Sequence, residues 1–251
     1  MKDYIEEVDD NFSTFFDEVE HSVKSVLEEN NKNKSKFKES YRRLVSFQAW
    51  NSEIISTIAT QRSVDFFREA QNDALTSHAL ARQGAWRVAL MSLRSCVENT
   101  LFGLYYVDHP VELKLWELGK HRLGFTEVVN YLSKHPQFIG FSEQFTGIEI
   151  LKTEYATLSQ AVHGSSKLFR VTKEGEIQGL NIVSPVDLGK WQAREQMTVI
   201  SLNMILLTFF KEDLTGASNL NLRKALSLVI PEKNFGRIKK EYKVNLRKAN
   251  Q

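Results

Sequence analysis

In the first thirty residues Ile5, Val8, Phe12, Phe15, Val19, Val23 and Val26 recur at spacings of three and four. That period puts them in one stripe and predicts a long amphipathic helix. Residues 28–38, EENNKNKSKFK, are polar and rich in Asn and Lys, so they read as a linker that stops this helix. Helical spacing resumes over residues 40–60 (Leu44, Phe47, Ile54, Ile55, Ile58) and 63–82 (Phe66, Phe67, Ala70, Ala74, Leu75), and Gly84 ends the second run. Residues 85–107 carry Val88, Leu90, Leu93, Val97, Leu101, Leu104 and Tyr105, apolar enough for a helix at the centre of a domain. Pro110 opens a short helix through Trp116, and two more are expected over 126–134 and 148–163. Residues 167–183 change the rhythm: alternating and β-branched positions flank Lys173-Glu174-Gly175, the pattern of a β-hairpin. A last strong helix is predicted over 188–211 and a short one over 220–230.

Composition narrows the fold. The 251 residues are 42% apolar and 25% charged, enough to bury a substantial core, but include only 12 Gly and 4 Pro. A turn-rich all-β protein or a glycine-rich nucleotide-binding fold would use more of both. The expected class is therefore all-α, a helical bundle with one small β-hairpin near 168–183. Three parts are expected: an N-terminal amphipathic helix with its linker (1–38), a helical domain (39–217) and a basic C-terminal segment (218–251). The single cysteine, Cys96, excludes an intramolecular disulfide framework and a multi-thiolate zinc site. Residues 1–20 do not resemble a signal peptide, and the longest apolar stretch, 197–210, is too short for a bilayer. The expected location is the cytoplasm, without a membrane.

Net charge is only +2, yet residues 1–20 carry eight acids and one lysine, whereas 217–251 carry nine basic residues and two acids. The two ends are opposites. Such polarity fits solvated or mutually pairing ends, or a basic end that binds nucleic acid through phosphate contacts. Lys167, Arg170, Arg237, Lys239, Lys240 and Lys243 are the candidate nucleic-acid contacts.

Two constellations could carry chemistry. Arg94 and Glu98 stand four apart within the apolar run MSLRSCVENTLFGLYYVDHP, as either a buried structural ion pair or part of a site. Tyr155, Ser159 and His163 are also four apart, so phenol, hydroxyl and imidazole form one column. His163 closes the helix, where it could cap the negative end of the dipole or act in binding and acid/base chemistry. Cys96 reads as a buried small hydrophobe. No Walker loop, no His-Glu-x-x-His and no metal-ligand spacing occurs, so no metal or cofactor is expected.

The helix Arg94-x-x-x-Glu98 running into Leu104-Tyr105-Tyr106, together with Tyr155-x-x-Leu158-Ser159-x-x-Val162-His163, resembles the all-helical HEPN superfamily (higher eukaryotes and prokaryotes nucleotide-binding domains). The likeness covers about residues 63–211. It implies a homodimer of bacterial toxin-antitoxin or antiviral defence type that binds or cleaves RNA without metal, with a cleft where the Arg94 and His163 helices meet. The superfamily's ribonuclease signature, an Arg and a following His with four to six residues between them, is missing: Ala156, Thr157 and Leu158 stand where the Arg would be ahead of His163. His163 would be the base and Arg94, Lys167 or Arg170 the cation, with Glu98, Tyr155 and Ser159 beside them. The alternative is a non-catalytic interaction module in which these polar groups are structural and the N-terminal helix and basic end hold protein partners, including one encoded nearby.

Overall fold

The computed structural model describes residues 3–59, 61–163, 172–173, 176–177, 181–214 and 219–247. At its centre α4 (Gln61–Arg82) and α5 (Trp86–Asp108) form a helical hairpin. Gly84 makes the turn with φ +74°. A Cβ there would also lie 2.6 Å from the Ile182 carbonyl oxygen, so both backbone and space require glycine. Leu93, Cys96, Val97, Leu101 and Leu104 of α5 are fully buried, as the apolar run predicts. At Gly103 a Cβ would come within 2.8 Å of the Phe67 ring, and its absence lets α5 and α4 approach closely.

Around this hairpin, α9 (Ile148–His163) packs on α5, and α10 (Pro185–Phe209) contacts α9, α5 and α2 (Lys34–Trp50). α10 begins at a cap in which the Asp187 N–H donates to Ser184 Oγ at 3.1 Å, with Pro185 in the first turn. Every residue from Thr198 to Phe209 is buried, the pattern of a helix enclosed on all sides. Asn203 is matched inside it, donating to Ser46 Oγ and accepting from Trp50 Nε1, both at 2.9 Å, whereas the buried Thr198 hydroxyl has no hydrogen-bond partner among the described residues. α2 continues through a π-helical turn, Asn51–Ile55, into α3 (Ser56–Ile58). α6 (Pro110–Glu117), α7 (Phe125–Lys134) and α8 (Glu143–Thr146) follow α5. α11 (Leu220–Val229) packs on α2, and α12 (Phe235–Tyr242) buries Ile238 and Tyr242.

The all-α expectation holds. β1 (Thr172–Lys173) and β2 (Glu176–Ile177) pair antiparallel, and this two-residue ladder is a minor feature of a helical fold. One segment differs from its sequence reading. The polar stretch 28–38 is helical except at Lys32 and Asn33, because α1 (Tyr4–Asn31) is followed at once by α2. Asn30, Phe37 and Ser40 turn inward while the Lys residues and Asn31 face water, so a polar composition sits on a half-exposed helix. The C-terminal segment is anchored as far as Leu246, with Leu222, Leu226, Val244 and Leu246 in the core.

α1 buries only Val26 and Asn30. Tyr4, Ile5, Phe12, Phe15 and Phe16 are between 62% and 76% exposed, so the apolar stripe runs out beyond the bundle. Among the described residues no helix is long and apolar enough to cross a membrane.

Candidate functional site

The two columns read from the sequence meet. Where α9 packs on α5, Arg94 Nη2 donates to the Tyr155 hydroxyl at 2.7 Å, and Arg94 Nε donates to Ser159 Oγ at 3.2 Å. The Tyr155 hydroxyl in turn donates to Glu98 Oε1 at 2.7 Å, and the same oxygen lies 2.9 Å from Arg94 Nη2. The guanidinium also sits 4.9 Å from the centroid of the Tyr155 ring. On the ring's outer side Phe125 of α7 stacks almost parallel, centroids 3.7 Å apart. Three helices thus fix one phenol and one guanidinium. Burial, then the hydrogen bond to Glu98, pushes the Tyr155 hydroxyl up to about 12, so it stays a neutral donor.

The pair is less enclosed than its apolar surroundings suggest: the side chains of Arg94 and Glu98 are 23% and 25% exposed. The fully enclosed ion pair lies elsewhere. Arg43 of α2 grips Glu195 of α10, with Nε 3.0 and 3.3 Å from the two carboxylate oxygens, and their side chains are 8% and 2% exposed. Burial raises Glu195 to about 7 despite its cation. Neither residue was legible as a partner, since 152 positions separate them. Glu154, beside Tyr155 but on the other face of α9, is likewise buried against Arg194 of α10 at 2.9 Å.

His163 stands apart from the cluster, exposed at the last position of α9, and makes no hydrogen bond or ion pair with any other described residue. The carbonyls at this helix end are taken by Arg87, whose Nε and Nη2 donate to Ala161 at 2.9 Å and Val162 at 3.2 Å. Arg87 is seven residues before Arg94 on α5 and so shares its face, which is the signal that would have found it. Lys167 and Arg170 lie outside the described residues. Lys239, Lys240 and Lys243 are exposed, and the Lys243 ammonium donates to the Lys240 carbonyl at 3.0 Å. Arg237 lies over the Phe145 ring at 3.9 Å. The basic end therefore presents its cations from a packed helix and the turn after it.

A second polar group gathers where α5 ends against α7. His135 Nε2 is 3.2 Å from Asp108 Oδ2, and the Tyr131 hydroxyl donates to the same carboxylate. His109 stacks flat on Tyr105, centroids 3.9 Å apart, and the Tyr106 hydroxyl contacts His121 Nδ1 at 3.1 Å. Burial lowers His135 below an ordinary imidazole although Asp108 pulls it up. The i, i+4 pair Tyr131 and His135 is the same kind of column as Tyr155 and Ser159. Cys96 is buried, and that burial raises its thiol, as expected for a packed hydrophobe. Among the described residues no group of three or more His, Cys, Asp or Glu is placed to hold a metal ion. No family model matches the chain, and neither a curated protein nor a solved structure matches it.

Proposed function

We propose that the chain is an RNA-directed protein of the HEPN-like defence or toxin-antitoxin kind, and that it meets RNA on the face where α9 lies on α5. The observation that supports this reading most is the convergence of Arg94, Glu98, Tyr155 and Ser159 from two helices into one hydrogen-bonded, partly solvent-open cluster. Such a cluster fixes the α5–α9 junction, and with it the position of His163 and of Arg87, which has N–H groups left over after engaging two carbonyls. Cleavage, if it accompanies binding, takes the metal-independent route. A base removes the ribose 2′-OH proton, the oxygen bonds to phosphorus as the P–O5′ bond breaks, and the leaving 5′-oxygen takes a proton from water, giving a 2′,3′-cyclic phosphate and a 5′-hydroxyl. His163 is the base and Arg87, which donates to the carbonyls of that helix end, the cation. The test is anisotropy and gel analysis with a labelled single-stranded RNA in EDTA. The intact chain retains the RNA at low salt, and His163→Ala weakens retention or cleavage without unfolding. No retention at low salt contradicts the reading.

The second reading, a non-catalytic interaction module, is favoured by α1. Its exposed stripe of Ile5, Val8, Phe12, Phe15 and Val19 keeps the alternating three-four spacing of a coiled-coil seam. A second copy of this chain is the occupant proposed for it, which makes the protein a homodimer.

A further inference from the structure

A cavity of about 460 Å³ opens between α1, α2 and α4, away from the α5–α9 cluster. On α2 its wall is Lys34, Phe37, Lys38 and Tyr41, spaced i, i+3, i+4 and i+7 and therefore one helix face. On α4 it is His78 and Arg82, one turn apart. The last turn of α1 closes the end, held there by Asn30, whose side-chain amide donates to the Arg82 carbonyl at 2.8 Å. The enclosure is thus built from three helices that are tied together by a buried side chain.

Its chemistry is one-sided. Lys34, Lys38 and Arg82 contribute three cations, no carboxylate lines the cavity, and among the described residues none of the three is ion-paired. The remaining wall is aromatic. His78 lies edge-on to Phe37 at 5.6 Å and to Tyr41 at 6.2 Å, and Phe37 and His78 both pack on Trp191 at 5.9 and 6.1 Å. His78 is held by Ser40 Oγ at 3.0 Å from Nδ1. Tyr41, at the rim, is 55% exposed. Burial first, then Arg82 and Arg43, lowers the His78 imidazole.

Three unpaired cations on one side of a ring-lined cavity match a ligand with a phosphate at one end and a planar ring at the other. We infer that this cavity binds a mononucleotide, its phosphate between Lys34, Lys38 and Arg82 and its base against Tyr41 and His78. The volume suits one nucleotide and not a strand, and the inference stands independently of the α5–α9 reading.

Calorimetric titration of the full chain tests it, with AMP, inorganic phosphate, adenosine and a 5′-phosphorylated hexaribonucleotide as the four probes. AMP is expected to bind, with phosphate and adenosine each weaker by at least about tenfold. Arg82→Ala and Lys38→Ala each weaken AMP by about tenfold, whereas Lys120→Ala, an exposed lysine outside the cavity, leaves it unchanged. Tyr41→Ala weakens AMP but not phosphate, which separates the stacking half from the anion half. Circular dichroism melts check that each variant folds, and Lys38→Ala carries the test if Arg82→Ala fails to. Absence of AMP binding overturns the inference. So does AMP binding that ignores both cation variants, phosphate binding as tight as AMP, or binding of the hexanucleotide with none of AMP.

Discussion

Replacing Arg43 by Met removes the cation from an ion pair that is closed to water. The Glu195 side chain, 2% exposed, then keeps its burial and loses its partner. Breaking such a pair from one side costs about 3–5 kcal/mol, which for a domain of this size is a fall in melting temperature of about 6–20 °C. The penalty depends on pH. Burial already raises Glu195 to about 7 with Arg43 in place, and removing the cation raises it further. A carboxyl whose folded value lies above its unfolded value contributes stability that is fully present below the unfolded value, near 4.5, and is lost as pH rises through the folded value. Arg43→Met should therefore be severe at pH 8 and mild, about 1–2 kcal/mol, at pH 5, where Glu195 can stay protonated. Arg43 also helps to depress His78, so its removal favours the variant slightly at low pH for a second reason. The double variant Arg43→Met/Glu195→Met keeps that second effect and isolates the first. It should recover most of the stability lost at pH 8, because an apolar pair of similar volume carries no desolvation penalty. Urea unfolding followed by circular dichroism at the two pH values measures this. Equal losses at pH 5 and pH 8, or a double variant as unstable as the single one, would refute the reasoning.

At the α5–α9 cluster the pair is quarter-exposed, so Arg94→Ala should cost only about 1–2 kcal/mol and Tyr155→Phe about 1 kcal/mol. A double-mutant cycle should show their coupling, and simple additivity would remove the bonds drawn between them. His78 and His135 are both held below an ordinary imidazole, chiefly by burial. Their contribution is present above pH 6.5 and lost as pH falls, so His135→Phe should flatten the acid side of the stability profile; an unchanged slope there would count against it. Deleting residues 1–20 removes the exposed stripe of α1, and light scattering should then show the mass fall from dimer to monomer with the melting temperature nearly unchanged. An unaltered mass would remove α1 from the interface.

The helices that carry the site were legible because their periodicity is strong. The predicted span 148–163 coincides with α9, and the i, i+4 columns on α5 and α9 placed Arg94, Glu98, Tyr155 and Ser159 on faces that do meet. Which face met which was not encoded locally. Arg43 and Glu195, or Glu154 and Arg194, find each other only through the packing of α10 on α2 and α9, and no spacing rule reaches that far. Residues 28–38 misled for a different reason. Lys is a good helix former and Asn disfavours a helix only weakly, and tertiary contacts by Phe37 and Asn30 outweigh that preference. With no linker there, the face of α2 that opens the cationic cavity was hidden in a stretch that read as solvated loop. His163 differs: it closes α9 as expected but stands apart from Tyr155 and Ser159, and Arg87 takes the carbonyls that a capping histidine would have served.

The most direct test of the central claim is RNA retention by the intact chain at low salt in EDTA, measured by anisotropy beside His163→Ala, Arg94→Ala and Lys120→Ala. His163 is exposed and bonds no other described residue, so its loss should leave the melting temperature within a few degrees, and any change in RNA binding reports on function alone. The account predicts salt-sensitive binding by the wild type and by Lys120→Ala, with about tenfold or greater weakening in the other two variants. No binding by the wild type, or binding that neither His163→Ala nor Arg94→Ala alters, would contradict it.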